Sequence, residues 1–343
     1  MRQSEMASIA LVALLAVHCA KTTVIRRGVP RPESKDTATG GEPDPTDDTA
    51  PPEDSGIAPP EDTSDAEPPE PPEFMDPLVL VKAGAAHTCG MTEEGEIACW
   101  GRDEEGQSSP PSGSFVSLDS GGNHSCALDA EGIVTCWGAN EEGQSTVPDQ
   151  VFTEVSTGER HTCGVELSGE VICWGYFVDS VRAYPPEGTF HGLSAGGDHT
   201  CALNEDQAAQ CWGDDSDGQA PPSRGTVTHV QLSSGRRHTC TLLTSTFGIS
   251  CWGSSDDGRT SRPTDSYTLL TSNGDHHCAL EPDGTTVCWG LNDHGQTDPP
   301  DISATNISAG GAHTCAITPD GAAVCWGDDS EGQASPPPTA GTL

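Results

Sequence analysis

From Pro77 onward, apolar and polar positions alternate in short runs, and no segment settles into a long helical period. In the stretch 115–138, "FVSLDSG" alternates, "HSCALD" follows, Ala130-Glu131-Gly132 reverses the chain, and "IVTCWG" returns. A polar turn, "ANEEGQ" (139–144), comes next, and a proline-containing descent leads into another copy. The pattern predicts about four strand-sized pieces per copy.

The copies are counted by their Trp-Gly pairs, which begin at 100, 137, 174, 212, 252, 289 and 326, a period of 37 to 40 residues. Each tryptophan follows a cysteine (Cys99, Cys136, Cys173, Cys211, Cys251, Cys288, Cys325), and each of these has an upstream mate (Cys89, Cys126, Cys163, Cys201, Cys240, Cys278, Cys315). Two residues before each mate stands a histidine, from His87 to His313. A fixed period near 40 with strand-like pieces predicts an all-β chain, a seven-bladed β-propeller over 77–343, whose closure leaves no long exposed edge. Each tryptophan is then expected to pack against the next blade, on the face opposite its cysteine.

In "CAITPDGAAVC" (315–325) Asp320 is the midpoint, so a hairpin places Cys315 opposite Cys325 at cross-strand distance. The same argument predicts disulfides Cys89–Cys99, Cys126–Cys136, Cys163–Cys173, Cys201–Cys211, Cys240–Cys251 and Cys278–Cys288. The Cys240–Cys251 spacing is eleven rather than ten and needs a bulge or a longer turn. Seven pairs imply an oxidising compartment.

The amino-terminal part differs in kind. An apolar run of 12 residues, Met6–Val17, is too short to span a bilayer and suits an export signal, giving a signal peptide over 1–18. Cys19 follows the run and is the one cysteine without a mate, which resembles a bacterial lipoprotein signal, although Ala16 and His18 depart from its usual residues. Lipidation at Cys19 is the expectation, with unlipidated secretion or a retained anchor as alternatives. Residues 19–76 are rich in Pro, Thr and carboxylates and are expected to form a disordered acidic spacer.

The formal net charge of −38 is spread over both parts: residues 20–76 carry 15 acidic and 5 basic side chains, and residues 77–343 carry 37 and 9. Such a field repels nucleic acid and anionic lipid, so membrane contact is expected only through the lipid anchor, and it favours cationic ligands. A monomer is expected.

The unit 116–144 resembles the repeat of the regulator-of-chromosome-condensation family. The hallmarks present are Gly121, His124-Ser125, Ala127-Leu128, Glu131-Gly132, Trp137-Gly138 and Asn140 to Gln144. The resemblance covers 79 to about 335 and implies a seven-bladed β-propeller in a bacterial, exported, disulfide-bearing version. The family includes a chromatin-bound nucleotide-exchange factor and secreted inhibitor-like binders. The export signal, the paired cysteines and the absence of a basic surface set this chain apart from the exchange type, and no exchange residue maps onto it.

Candidate chemistry is sparse. The His-x-Cys motifs raise zinc, but their cysteines have cross-strand mates and the histidines suit bonds to turn backbone. Acidic turns such as "DDSDGQ" (214–219) and "DDSEGQ" (328–333) raise calcium, yet none has the spacing of a calcium loop, and Asp and Ser before Gly are good turn formers. No phosphate, dinucleotide or hydrolase motif occurs, so neither cofactor nor metal is expected. The third unit departs from the rest: "YFVDSVRAYPP" (176–186) replaces the acidic turn and contains two of the three tyrosines. Tyr176, Phe177, Arg182 and Tyr184 are therefore the candidate binding residues, with packing against a neighbouring blade as the alternative. The expected function is a non-catalytic binding module for a protein or polysaccharide at the bacterial cell envelope or surface. An extracellular hydrolase using carboxylates at the propeller mouth is the alternative, followed by an exchange-factor-like regulator.

Overall fold

The computed structural model describes residues 76–177, 184–221 and 227–338. Cys19, the export signal and nearly all of the acidic spacer lie outside the described residues.

The described chain is all-β: seven antiparallel sheets of three strands, each sheet built from strands consecutive in sequence. Blade 1 has an inner strand Leu78–Ala83, a middle strand His87–Thr92 and an outer strand Ile97–Gly101. The pattern repeats to blade 7, with Asn306–Ala309, His313–Ile317 and Ala323–Gly327. A single 3-10 turn, Asp256–Gly258, is the only helical piece among the described residues. The fourth strand-sized piece expected in each unit does not join its sheet. These are the descents containing Pro110-Pro111, Pro148 or Pro299-Pro300, and proline has no N–H to give to a ladder.

All seven hairpins place their cysteines in register and bonded, with Cα separations of 4.0–4.1 Å that belong to non-hydrogen-bonded cross-strand pairs. The extra residue between Cys240 and Cys251 is absorbed by the turn, where Phe247 takes φ 53°, and the strands on either side stay in register.

The core is divided among the junctions. Seven clusters of buried side chains occur, one between each pair of adjacent blades. Trp137 of the second blade packs on Cys89 and Met91 of the first, and Trp174 of the third packs on Cys126 and Leu128 of the second. Each tryptophan thus covers the disulfide hairpin of the preceding blade, not the next one as the alternation suggested. Trp100 packs on Cys315 and Ile317, so the first blade closes the ring on the last.

Backbone bonds repeat the same closure. Phe115 N donates to Gly95 O, Phe152 N to Gly132 O, and Leu78 N to Gly321 O, pinning each inner strand to the previous hairpin turn. The inner strands run parallel to one another around a central channel of about 250 Å³. Their free edge N–H groups are taken up by side chains of the preceding blade: Ser308 Oγ accepts from Ala83 N, Asp119 Oδ2 from Thr157 N, and Ser156 Oγ from Ala195 N. Asn273 Nδ2 donates across the channel to Ala83 O and Ser120 O.

Candidate functional site

The turn after each Trp-Gly pair winds around itself. In the second unit Asn140 Oδ1 accepts from Ser145 N, and Gln144 Oε1 accepts from Glu142 N. Asp215 with Gln219, and Asp329 with Gln333, repeat this arrangement. Several carboxylates raised as calcium ligands therefore hold the N–H and hydroxyl groups of their own turn. The glycine after each tryptophan has φ between 93° and 108°, where an L side chain is strained, and it steers the chain into this turn.

With its side chain engaged, the buried glutamine turns its backbone carbonyl to the next blade. Two donors meet there: Thr162 Oγ1 and Trp174 Nε1 both reach Gln144 O at 2.9 Å. Thr88 and Trp100 meet on Gln333 O, Thr239 and Trp252 on Gln219 O, and Thr314 and Trp326 on Gln296 O.

The histidines join this network instead of the turn backbone. His124 Nε2 lies 2.8 Å from Thr162 Oγ1, His276 Nε2 2.8 Å from Thr314 Oγ1, and His313 Nε2 2.7 Å from Thr88 Oγ1. The threonine proton is directed to the glutamine carbonyl, so the hydroxyl oxygen accepts from Nε2–H. That assigns the neutral Nε2–H tautomer, and Nδ1 of His87, His124, His276 and His313 has no partner among the described residues. Burial drives the imidazoles far down from 6.5: to about 3 for His87, His124, His199 and His313, and to about 4 for His161 and His276.

Two junctions depart from the pattern. Between the fifth and sixth blades His277 replaces the usual Ser or Thr and lies 3.2 Å from Cys240 Sγ, while Arg259 stands where glutamine is usual and offers its carbonyl to Trp289 Nε1. His277 Nε2 and the sulfurs of Cys240 and Cys251 lie within 4.8 Å of one another, but these sulfurs are bonded as a disulfide and carry no thiolate charge for a metal.

The other departure is the third unit. Tyr176 N still donates to Arg160 O, and the sequence that follows lacks the Asn-x-x-Gly-Gln pattern. The Arg160 guanidinium stacks over the Tyr176 ring at 3.9 Å, and Phe177 packs on the His161 ring at 5.5 Å. Tyr184 is 77% exposed. The four candidate residues are therefore not one equivalent patch: Tyr176 and Phe177 are half-buried on their own blade, Tyr184 faces solvent, and Arg182 lies outside the described residues.

Beside them on the same face lies a depression of about 440 Å³ lined by Glu159, Arg160, Asp198, Asp214, Arg236 and Arg237. Arg160 reaches toward Asp198 at 3.6 Å and Glu142 at 4.0 Å, Arg236 toward Glu159 at 3.4 Å, and Arg237 toward Asp217 and Asp256 at 3.6 Å. The sequence signal for this island was the adjacent pair Arg236-Arg237 in an otherwise acidic region. The approach of Arg160 to it follows only from the blade geometry.

A profile of the regulator of chromosome condensation (RCC1) repeat matches residues 79–107, 115–144, 190–219 and 304–333. The unmatched third, fifth and sixth units are those with the lost turn, the Arg259 substitution and the His277 substitution. No curated protein matches the chain at a significant level. Among solved structures, the CRINKLY WD40 ectodomain of the Arabidopsis thaliana receptor kinase ACR4 is 25% identical, covering 74% of this chain and 98% of its own at a TM-score of 0.63. The entire ectodomain of the Physcomitrella patens receptor kinase CR4 is 23% identical, covering 74% of each chain at a TM-score of 0.62. Yeast RCC1 (Prp20) bound to Kap60 is 16% identical, covering 75% of this chain and 81% of its own at a TM-score of 0.59. Four of the seven units match the regulator-of-chromosome-condensation repeat, and the seven sheets are arranged as the blades of a β-propeller.

Proposed function

We propose that this chain is a non-catalytic binding module displayed outside the cell, with the third-unit segment and the adjoining arginine-bearing depression as its contact surface. The observation that carries the reading is local: the third unit lacks the Asn-x-x-Gly-Gln sequence, Tyr184 is exposed, and Arg160, stacked over Tyr176, lines a depression with Arg236 and Arg237 on an otherwise acidic molecule. Aromatic and arginine side chains are enriched where binding energy concentrates. Seven disulfides favour an oxidising location, and the likeness to a receptor ectodomain agrees with an extracellular binding role. The display itself uses a lipid at Cys19 and the acidic segment up to 76 as a stalk, in a bacterial envelope. The carboxylates of the depression serve structure in this reading: Glu159 and Asp198 face arginines, and Asp214 accepts from Ser216 and Gln219.

The test uses the full chain and a Tyr184→Ser, Arg237→Glu variant as parallel baits against envelope proteins and polysaccharides. A ligand bound by the first and weakened about tenfold or more in the second supports the reading. A ligand that is chemically converted by the purified chain would move it to the hydrolase alternative.

A further inference from the structure

The middle-strand cysteine of every blade is buried, and its sulfur meets a side chain of the next blade around the ring. Cys201, Cys278 and Cys315 meet Thr239, Thr314 and Thr88, whose hydroxyl oxygens lie 3.7 Å from Sγ. Each of these threonines gives its proton to a glutamine carbonyl, so the sulfur beside it receives no donor. Cys240 differs, because His277 Nε2 lies 3.2 Å from its sulfur. A disulfide sulfur carries no proton, so the bond runs from N–H to S and assigns the Nε2–H tautomer. The His277 ring is fully buried, stacked on Trp289 at 5.1 Å between centroids, with the His238 ring edge-on at 4.3 Å. Burial, followed by His276 and Arg259, drives its pKa well below 6.5 and keeps it neutral.

We infer that Cys240–Cys251 is a thiol–disulfide exchange site for a small thiol, in which Cys251 is the sulfur attacked and His277 stabilises the departing Cys240 thiolate. This inference is independent of the contact surface proposed above. Cys240 is 0% exposed, whereas Cys251, on the outer strand, is half-buried beside Val287 and Trp289, so access is narrow and suits a small attacking group. The sequence mark of the site is His276-His277-Cys278, where the other units read His-Thr-Cys or His-Ser-Cys.

In the first step a thiolate RS⁻ bonds to Cys251 Sγ, the bond between Cys251 and Cys240 breaks, and its electron pair leaves on Cys240 Sγ. An N–H bonds a thiolate more strongly than a disulfide sulfur, so the His277 contact strengthens as the bond breaks. A leaving thiol of lower pKa departs faster, while burial without a donor raises a thiol's pKa, as at the three threonine junctions. In the second step another RS⁻ attacks the external sulfur of the mixed disulfide, forming RSSR and freeing the Cys251 thiolate. The two cysteine thiolates take up the two protons that the attacking thiols gave up on ionising. Two RSH are thus oxidised to RSSR, and one protein disulfide is reduced to two thiols.

The probe is reduced glutathione, added over a series of concentrations to the full-length oxidised protein at pH 7.5. Samples are quenched in acid, alkylated and mapped by mass spectrometry, so that all seven pairs are followed together and six serve as internal controls. Cys240–Cys251 should open first, about tenfold faster than Cys278–Cys288 or Cys315–Cys325, the effect of one hydrogen bond to a charged leaving group. Glutathione should be found on Cys251 and not on Cys240, at a rate proportional to its concentration. His277→Thr installs the residue that Thr88, Thr162, Thr200, Thr239 and Thr314 supply elsewhere, and it should bring the rate down to that of the other pairs. His277→Gln keeps an N–H donor and should retain part of the difference. The inference is overturned if another pair opens first, if glutathione is carried by Cys240, or if folded His277→Thr reacts as fast as the parent. A rate that saturates with glutathione would also sink it, because opening of the blade would then be the slow step. Should both variants melt lower than the parent, the position of the adduct and the concentration dependence in the unaltered protein still decide. If reduced thioredoxin opens the pair and glutathione does not, the assignment to a small thiol fails.

Discussion

At Thr162 one hydroxyl group serves two blades, since its proton goes to Gln144 O and its oxygen accepts from His124. A protonated His124 would still have Nε2–H for the threonine, but its new Nδ1–H would be buried without an acceptor, so charging the ring costs stability. The folded-state values of about 3 to 4 lie below the unfolded value of 6.5, so the unfolded chain takes up protons first. The contribution is fully present above pH 6.5 and is lost progressively as pH falls toward 3. At pH 5 each such histidine withdraws up to about 2 kcal/mol, from about 1.4 kcal/mol per unit. Denaturant midpoints at pH 7.5 and 5.0, in 0.5 M salt to screen the relief of acidic self-repulsion, should show a loss of several kcal/mol. This interval lies above the range in which carboxylates such as Asp328 begin to count; burial raises its value, and hydrogen bonds from Ser330 and Gln333 with nearby His294 bring it below the usual one. Equal midpoints would mean that the imidazoles titrate freely in the folded protein. The spacing of these histidines was plain in the sequence; their partners were not, because each lies a whole unit away on the next blade.

The disulfide hairpin is the best-read element, because a period-two strand, a turn and equal arm lengths leave one register open. The proline descents were misread as a fourth strand, since local alternation does not reveal whether a neighbour with a matching edge exists. The third-unit segment was read as a departure from its composition alone. At the following junction Trp212 Nε1 has no partner among the described residues, whereas its equivalents donate to a backbone carbonyl that no side-chain pattern announces. Closing a loop of about ten residues is worth about 3 kcal/mol in the chain-entropy model, so Cys126→Ala with Cys136→Ala should lose about that amount in denaturant unfolding. The Cys240→Ala, Cys251→Ala pair should lose about 1 kcal/mol more, because His277 Nε2–H also forfeits Cys240 Sγ as its acceptor. Equal losses would mean that the contact at 3.2 Å contributes nothing net.

For the whole molecule, closure is the property that the sequence left open, and the structure assigns it to a junction like the others. Among the described residues no blade borrows a strand from the opposite terminus; the bond from Leu78 to Gly321, the Trp100 contact with Cys315, and Gln333 O on Thr88 and Trp100 reproduce the internal junctions. The turn 328–333 therefore belongs energetically to the first blade as much as to the seventh, although it lies some 230 residues away in sequence. Truncation after Gly327 removes Gln333 while leaving every strand in place, and it leaves Thr88 Oγ1 and Trp100 Nε1 without their acceptor. The loss of two buried bonds, about 1 kcal/mol each or more, should lower the melting temperature by about 4–8 °C at this domain size. Hydrogen exchange should rise first at Leu78–Ala83 and His313–Ile317, the strands that meet at the closure, while the blades opposite keep their protection. If melting is unchanged, or if protection is lost evenly around the ring, the closing turn is not what holds the first blade to the last.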